Sequence, residues 1–311
     1  MPRVSVVVPV HNTEQYLRDC VASIQSQTLE DIEIILVENA STDGSLSLCN
    51  ELAAGDSRIK VISLEIGDLP TARNEGVKVA EGEFVGFIDS DDTIAHDMFE
   101  SLYSLAEEND LDLVSSNYFR RYDDKPDRYS YPEDGKVRLL SPKEFLKLNY
   151  NEQVPVNACM MLFRKSLFDK VQFPVNRYFE DRASTYKFIA ASRKAAHVNK
   201  SYYCYYQRSS GICRSKPSWK KYRDWVLADS ERLDYLGKSE YFTAEEKRAM
   251  ASRPADTCIR KMRRLYNLSK TPEQMEETKA LLESMNELIP SGCSLSLKAR
   301  LIRFWLNTKK L

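Results

Sequence analysis

Five short apolar runs, separated by stretches of helical periodicity, occupy the first 115 residues of this 311-residue chain. Residues 4–9 are continuous and rich in valine, the mark of a strand buried on both faces. Asn12 is expected to open the next helix, with Gln15 at the capping-box position and Leu17, Val21 and Ile24 on one apolar stripe. The pattern then repeats. A strand at 32–37 leads through the Ser41-Thr42-Asp43-Gly44 turn into a helix ending at Ala54. A strand at 60–63 precedes a helix over 71–80, and a strand at 84–88 precedes one near 97–108. A fifth strand follows at 111–115. Short strands joined by helices of this length imply a doubly wound, mostly parallel α/β sheet.

Residues 120–135 are polar and aperiodic and read as a loop. Beyond them the spacing predicts a short helix at 142–148, a strand at 158–163, a helix at about 180–192 and a strand at 202–206. From Ser218 onward the pattern is helical: 220–236, 244–268, 272–288 and 295–306. The expected organisation is an α/β domain over 1–215 and a helical C-terminal region over 216–311.

Composition narrows the class. Hydrophobic residues at 42% and charged residues at 29% are those of an ordinary globular protein. No apolar run approaches the roughly 18 residues of a membrane helix. The apolar start holds Pro9 and lacks a lysine-rich lead, so it reads as a strand and not a signal peptide. The expected location is the cytoplasm, with peripheral contact at the inner membrane face if it meets a membrane. Seven cysteines without a CxxC pair and three isolated histidines argue against a disulfide framework and a zinc site. Lys and Arg outnumber Asp and Glu by 22 to 13 over residues 201–311, and trail them by 23 to 33 before that. Such a basic tail suits nucleic acid, anionic lipid or phosphate groups, or is simply a solvated helical surface.

The strongest chemical feature is Phe87-Ile88-Asp89-Ser90-Asp91-Asp92, three carboxylates where a buried strand ends. Ligands bind outside the carboxyl ends of strands in such sheets. Crowded carboxylates repel unless a cation or donors offset them, and hard ions such as Mg²⁺ or Mn²⁺ bridge carboxylates to diphosphate oxygens. An acidic helix N-terminus is the plainer reading. Three further blocks accompany it: Val8-Pro9-Val10-His11-Asn12-Thr13-Glu14, Val37-Glu38-Asn39 through Ser45, and Ala72-Arg73-Asn74-Glu75-Gly76 followed by Ala80-Glu81-Gly82. In this order and spacing the four blocks resemble the family 2 glycosyltransferases with a GT-A fold, over roughly residues 1–210.

That resemblance implies a metal-dependent transferase acting on a nucleotide-diphosphate sugar, a UDP-sugar foremost. It implies Asp91 as metal ligand, with Asp89 near the metal and donor ribose, and Ser90 beside them. Pro9, His11, Glu14 and Asn39 are expected to wall the nucleotide pocket, and Arg73 to lie near the diphosphate or sugar. Arg177-Tyr178-Phe179-Glu180-Asp181-Arg182 is similar to the family's acidic pair. It implies Asp181 as the general base of an inverting reaction, with Glu180 orienting the acceptor. Tyr205 through Ser215 resembles the loop that follows the domain, in which Arg208 and Arg214 would form a lid over the diphosphate.

Two departures matter. The paired aspartates usual at the second strand are Glu38 and Asn39 here, which weakens the inference to uracil. The segment 157–164 lacks the lysine often seen before its final aromatic-arginine pair. The QxxRW motif of processive synthases is absent, so one sugar per encounter is expected. The implied acceptor is a glycan or lipid-linked glycan of cell-surface polysaccharide assembly, and nucleic acid is not an expected partner. Leu297, Leu301, Phe304 and Trp305, flanked by Lys298, Arg300, Arg303, Lys309 and Lys310, suggest an interfacial helix or a core stripe. A nucleotidyltransferase or a dinucleotide-dependent oxidoreductase would want glycines at His11-Asn12-Thr13-Glu14, which has none. A non-catalytic sugar-nucleotide binder would not need Asp89, Asp91 and Asp181 together.

Overall fold

The structure, a computed structural model, describes residues 1–208 and 216–308. Strands β1 (Val4–Val10), β2 (Ile32–Asn39), β3 (Ile59–Leu64) and β4 (Phe84–Phe87) run parallel in the order β3-β2-β1-β4. The sheet continues through β9 (Met161–Arg164), antiparallel to both neighbours, to β6 (Leu113–Arg121) and β10 (Ala195–Tyr206), which pair in parallel. Short antiparallel strands β5 (Thr93–Ile94), β7 (Arg128–Tyr129) and β8 (Val137–Leu140) finish the ten-stranded sheet. The long pairings are parallel, and the fold is α/β and GT-A-like with a C-terminal helical region.

Side chains alternate across each strand, and the two faces build two cores. Val4, Val6, Val8 and Val10 face α1 (Glu14–Gln25), α2 (Ser45–Gly55) and α4 (Met98–Asn109). Val7, Ile35, Val85 and Phe87 face α3 (Leu69–Val79), α5 (Pro142–Tyr150) and α6 (Glu180–Ala191). On the outer side of α5 and α6 lie α7 (Trp219–Lys238) and α8 (Ala244–Leu268), which α9 (Pro272–Leu288) and α10 (Leu297–Thr308) cover in turn. Their apolar residues, among them Val226, Leu233, Met262 and Leu306, belong to the same core as Val7 and Phe87. Tyr150 lies inside it and donates to the Arg232 carbonyl at 2.8 Å. The region 216–311 is thus helical where described, and its core is continuous with that of the sheet. No described helix is long and apolar enough to cross a membrane.

Several local expectations are corrected. Asn12 does not cap α1. It takes a left-handed φ of 52° and its Oδ1 accepts the Thr42 N–H, while Thr13 holds the N-cap position without a side-chain bond. The free N–H groups of Thr13 and Glu14 go instead to Ser45 Oγ and the Asp43 carboxylate of the next turn. Helix α3 begins at Leu69, because Asp68 caps it through the Thr71 N–H. Residues 158–160 form a 3₁₀ turn ahead of β9. Strand β10 starts seven residues before the expected 202, because its polar members His197 and Asn199 bond to buried Ser115 and Asn117 of β6.

Candidate active site

Strand β4 is buried between β1 and β9 and delivers Asp89, Ser90, Asp91 and Asp92 to the carboxyl edge of the parallel strands. The loop is fixed on several sides. Thr13 Oγ1 donates to Ser90 Oγ at 2.9 Å. The buried Tyr203 hydroxyl accepts the Asp89 N–H at 3.1 Å and donates to Asp92 at 2.7 Å, and the Tyr206 N–H reaches the other Asp92 oxygen at 2.8 Å. Burial, with the charges of Asp91 and Asp89, pushes the Asp92 carboxyl well above its usual range. Asp92 is therefore an anchor of the loop. Asp91 is raised by burial, against which Arg208 works from 2.6 Å.

A second acidic group approaches from α6. Phe179 precedes the helix in a left-handed conformation, φ 60°, which costs a non-glycine residue roughly 1–2 kcal/mol. Packing from α7 holds it there: the Phe179 and Trp225 ring centroids are 4.4 Å apart, and the Tyr178 N–H donates to buried Asp224 at 3.0 Å. This bend puts Glu180 and Asp181 in the first helical turn.

Arg73 on α3 joins the two acidic groups. It is 1% exposed, and its Nη1 donates to Glu180 at 2.6 Å and Asp181 at 2.7 Å, its Nη2 to Asp89 at 2.9 Å. The rings of Phe87 and Phe173 lie 5.9 and 5.5 Å from its guanidinium carbon. Among the described residues its Nε has no partner. Burial pushes the Glu180 carboxyl up to about 8, with Arg73 opposing and the Asp181 charge adding. Burial also raises Asp181, again against Arg73.

Arg73, Asp89, Asp91, Asp92, Glu180 and Asp181 line one cleft of about 1940 Å³, against about 300–1,000 Å³ for a pocket that holds one small molecule. There is room for two substrates. Pro9, His11 and Asn39 line it. His11 Nδ1 is 2.7 Å from the Asn39 carbonyl, and Asn39 Oδ1 accepts the Asp68 N–H at 3.0 Å, so its amide oxygen already holds the backbone. Glu38 turns away to the Ser41 N–H and the Ser63 hydroxyl. Glu14 is a correction: it lies outside the cleft lining, because its carboxylate accepts the Gly44 N–H at 2.9 Å and pins the turn before α2. Arg208 reaches the cleft, and Arg214 lies outside the described residues.

The donor set suits a hard cation. Asp89 and Asp91 offer carboxylate oxygens, but no three His, Cys, Asp or Glu side chains among the described residues are grouped to hold a metal ion. Such a pair fits Mg²⁺ or Mn²⁺ that draws its remaining ligands from diphosphate and water. Reading the sequence missed Asp68, whose carboxylate accepts the Thr71 and Asn176 N–H groups at the cleft wall. It also missed Tyr203 and Trp225, which carry no local motif. The only usable signal was Asp68 one residue before Leu69-Pro70, a capping pattern.

Comparison with known proteins identifies the family. Residues 5–171 match the family described as glycosyl transferase family 2. The glycosyltransferase GlyG of Streptococcus pneumoniae serotype 4 is 34% identical over 239 residues, covering 74% of this chain and 79% of that protein. The glycosyltransferase GlyA of the same organism is 31% identical over 258 residues, which cover 77% of this chain but 35% of GlyA. Among solved structures, S. aureus TarS in complex with UDP-GlcNAc superposes with a TM-score of 0.72 over 93% of this chain and 82% of that one, at 20% identity. At that identity the likeness speaks for the fold.

Proposed function

The chain belongs to glycosyl transferase family 2, and from that premise we propose that it moves a sugar from a nucleotide-diphosphate donor, a UDP-sugar foremost, to an acceptor hydroxyl with inversion at the anomeric carbon. The observation that carries this reading is the single cleft in which a strand-end carboxylate cluster and an acidic helix start meet through Arg73. The UDP-GlcNAc bound to TarS, which shares the fold, supports the donor class. The acceptor is a glycan or lipid-linked glycan in cell-surface polysaccharide assembly, by analogy with the family.

In this reading Asp181 takes the acceptor proton as the acceptor oxygen bonds to the anomeric carbon. The bond from that carbon to the diphosphate breaks, and its electron pair leaves with the diphosphate. A positioned base contributes about 10²- to 10⁴-fold. Glu180, whose carboxyl burial raises and so disposes toward the protonated form, orients the acceptor by hydrogen bonding. Pro9, His11, Asn39 and Ser90 hold the nucleotide. Asp91 and Asp89 would hold the Mg²⁺ or Mn²⁺ ion, which when bound offsets charge growing on the leaving diphosphate. Arg208, released from Asp91, is then free to bond the diphosphate oxygens.

A thermal-shift screen of nucleoside diphosphates with and without Mn²⁺ tests the donor side, since a ligand of the folded state raises the melting point by mass action. UDP with Mn²⁺ should raise the melting point of wild type, and Asp91→Ala should lose the Mn²⁺-dependent part. Equal shifts in the two proteins would remove Asp91 from the metal site.

Peripheral membrane contact rests on α10. Ala299, Ile302 and Leu306 face the core and Trp305 packs on Tyr266, while Leu297, Leu301 and Phe304 stand 66%, 61% and 71% exposed beside Lys298 and Arg300. Each basic residue near an anionic bilayer contributes about 1 kcal/mol. Wild type should co-sediment with anionic vesicles at low salt, and the variant with Ser at 297, 301 and 304 should not, at an unchanged melting temperature. No sedimentation of wild type would end this contact.

A further inference from the structure

The cleft continues past the acidic pair to a wall built by α7, α8 and the start of α10. On α8 the run Arg260-Lys261-Met262-Arg263-Arg264 places four cations and no carboxylate on this wall. Among the described residues, Arg260 alone of the four has a carboxylate partner, Asp256 at 3.0 Å. Lys261 Nζ sits 3.9 Å from the Trp225 ring centroid and 5.4 Å from that of Tyr222. Burial lowers its pKa, and Arg264 and Arg182 press in the same direction. Arg264 Nη1 reaches only the Tyr222 hydroxyl, at 3.3 Å.

The same Trp225 ring carries Arg182, whose guanidinium carbon is 5.2 Å from the centroid. Arg182 follows Asp181 directly and is 6% exposed. Its Nε donates to Asp229 and its Nη1 to Glu152, but its buried Nη2 has no partner among the described residues. Arg177, just ahead of the acidic pair, donates through Nη1 to Glu231, and its Nε and Nη2 are likewise buried and unpaired. A folded chain rarely leaves buried guanidinium N–H groups unpaired beside other cations. The missing complement is an anion with several acceptor oxygens, and the planar fork of arginine matches phosphate.

We propose that this wall is an acceptor subsite for phosphate groups, so that the chain presenting its hydroxyl to Asp181 carries a phosphate ester seated among Arg182, Lys261 and Arg264. The inference rests on reading the acidic pair as the acceptor end of a glycosyltransferase site. A cleft admits a single chain and not a bilayer face, which separates this subsite from the outward stripe of α10. A phosphodiester polymer and a lipid diphosphate carry the same group, and both satisfy the wall.

Calorimetric titration of a glycerol-phosphate oligomer, geranyl diphosphate and a neutral oligosaccharide of matched length tests this. The proteins are wild type, Lys261→Gln/Arg264→Gln, and Arg248→Gln, which removes a charge from α8 outside the cleft lining. One or both phosphate probes should bind wild type, weaken with salt, and bind about 10-fold more weakly to the double variant, as expected for lost charge-assisted bonds. Arg248→Gln should match wild type. Oligomer binding assigns the phosphate to a polymer backbone, and geranyl diphosphate binding alone assigns it to a lipid anchor. Equal affinity of wild type for neutral and phosphate probes, or of double variant and wild type for phosphate, overturns the subsite. UDP affinity with Mn²⁺ on the same samples separates the readings: its absence in wild type indicts the glycosyltransferase assignment, and its presence leaves the phosphate result to stand alone.

Discussion

One guanidinium cannot neutralise three carboxylates, and burial, with the charge of Asp181, raises Glu180 against the pull of Arg73. A carboxyl raised to about 8 in the folded state and ordinary in the unfolded one binds more protons when folded. Its stabilising contribution is complete below the unfolded value, near 4.5, and is lost as pH rises through 8. Glu180→Gln, which imitates the protonated form, should flatten the fall in stability across that window, as read by denaturant midpoints at several pH values. An unchanged slope would show that Glu180 ionises normally. Asp181→Asn should lower transfer by about 10²-fold or more with UDP affinity little changed, because the amide cannot take a proton. If Glu180→Gln is the crippled variant instead, the two roles are reversed. Asp89, Asp91, Arg73, Glu180 and Asp181 were all legible in sequence, because each sits in a block with fixed spacing. That Arg73 bonds all three acidic partners was not, since Glu180 lies 107 positions away. The burial of Arg73 means that this is an interior ion cluster and not a surface ion pair.

At the scale of the element, α3 decides where that guanidinium stands. Gly76, one turn after Arg73, lets the helix settle on β1: a Cβ there would run into Val7 Cγ1 and lie 3.2 Å from Val37 Cγ2. Both valines belong to buried strands with no room to withdraw. Gly76→Ala gains up to about 1 kcal/mol of helix propensity and meets an overpacking cost of about 1–3 kcal/mol. A lower melting temperature is expected, with a loss of transfer larger than the stability change explains, because Arg73 is displaced from its carboxylates. Wild-type activity in a destabilised variant would show that the helix position does not matter. The parallel βα units were legible because their strands are continuous apolar runs. Strand β8 escaped notice because its four residues are exposed or half-buried, and the first half of β10 because His197 and Asn199 interrupt its apolar pattern.

For the whole molecule, the expected boundary at 215 falls inside one core. Tyr150 and Tyr186 are buried under α7, Tyr186 with its ring 5.1 Å from that of Tyr235. Exposing a large apolar side chain costs about 1.5–3 kcal/mol, and a domain has only about 5–15 kcal/mol of net stability. A chain ending at residue 208 should lose its cooperative melting transition and bind a hydrophobic dye such as ANS. A sharp transition in that fragment would establish an independent domain. The shared core also has a consequence for biosynthesis. At about 5–20 residues per second, the ribosome needs on the order of 5–20 s to add the hundred residues that follow 208. Until α7 and α8 have left the ribosome, the outer faces of α5 and α6 have nothing to rest on. The nascent chain therefore passes through an adhesive stage that ends only when α7 and α8 arrive, and chaperone supply during translation sets how much of it survives.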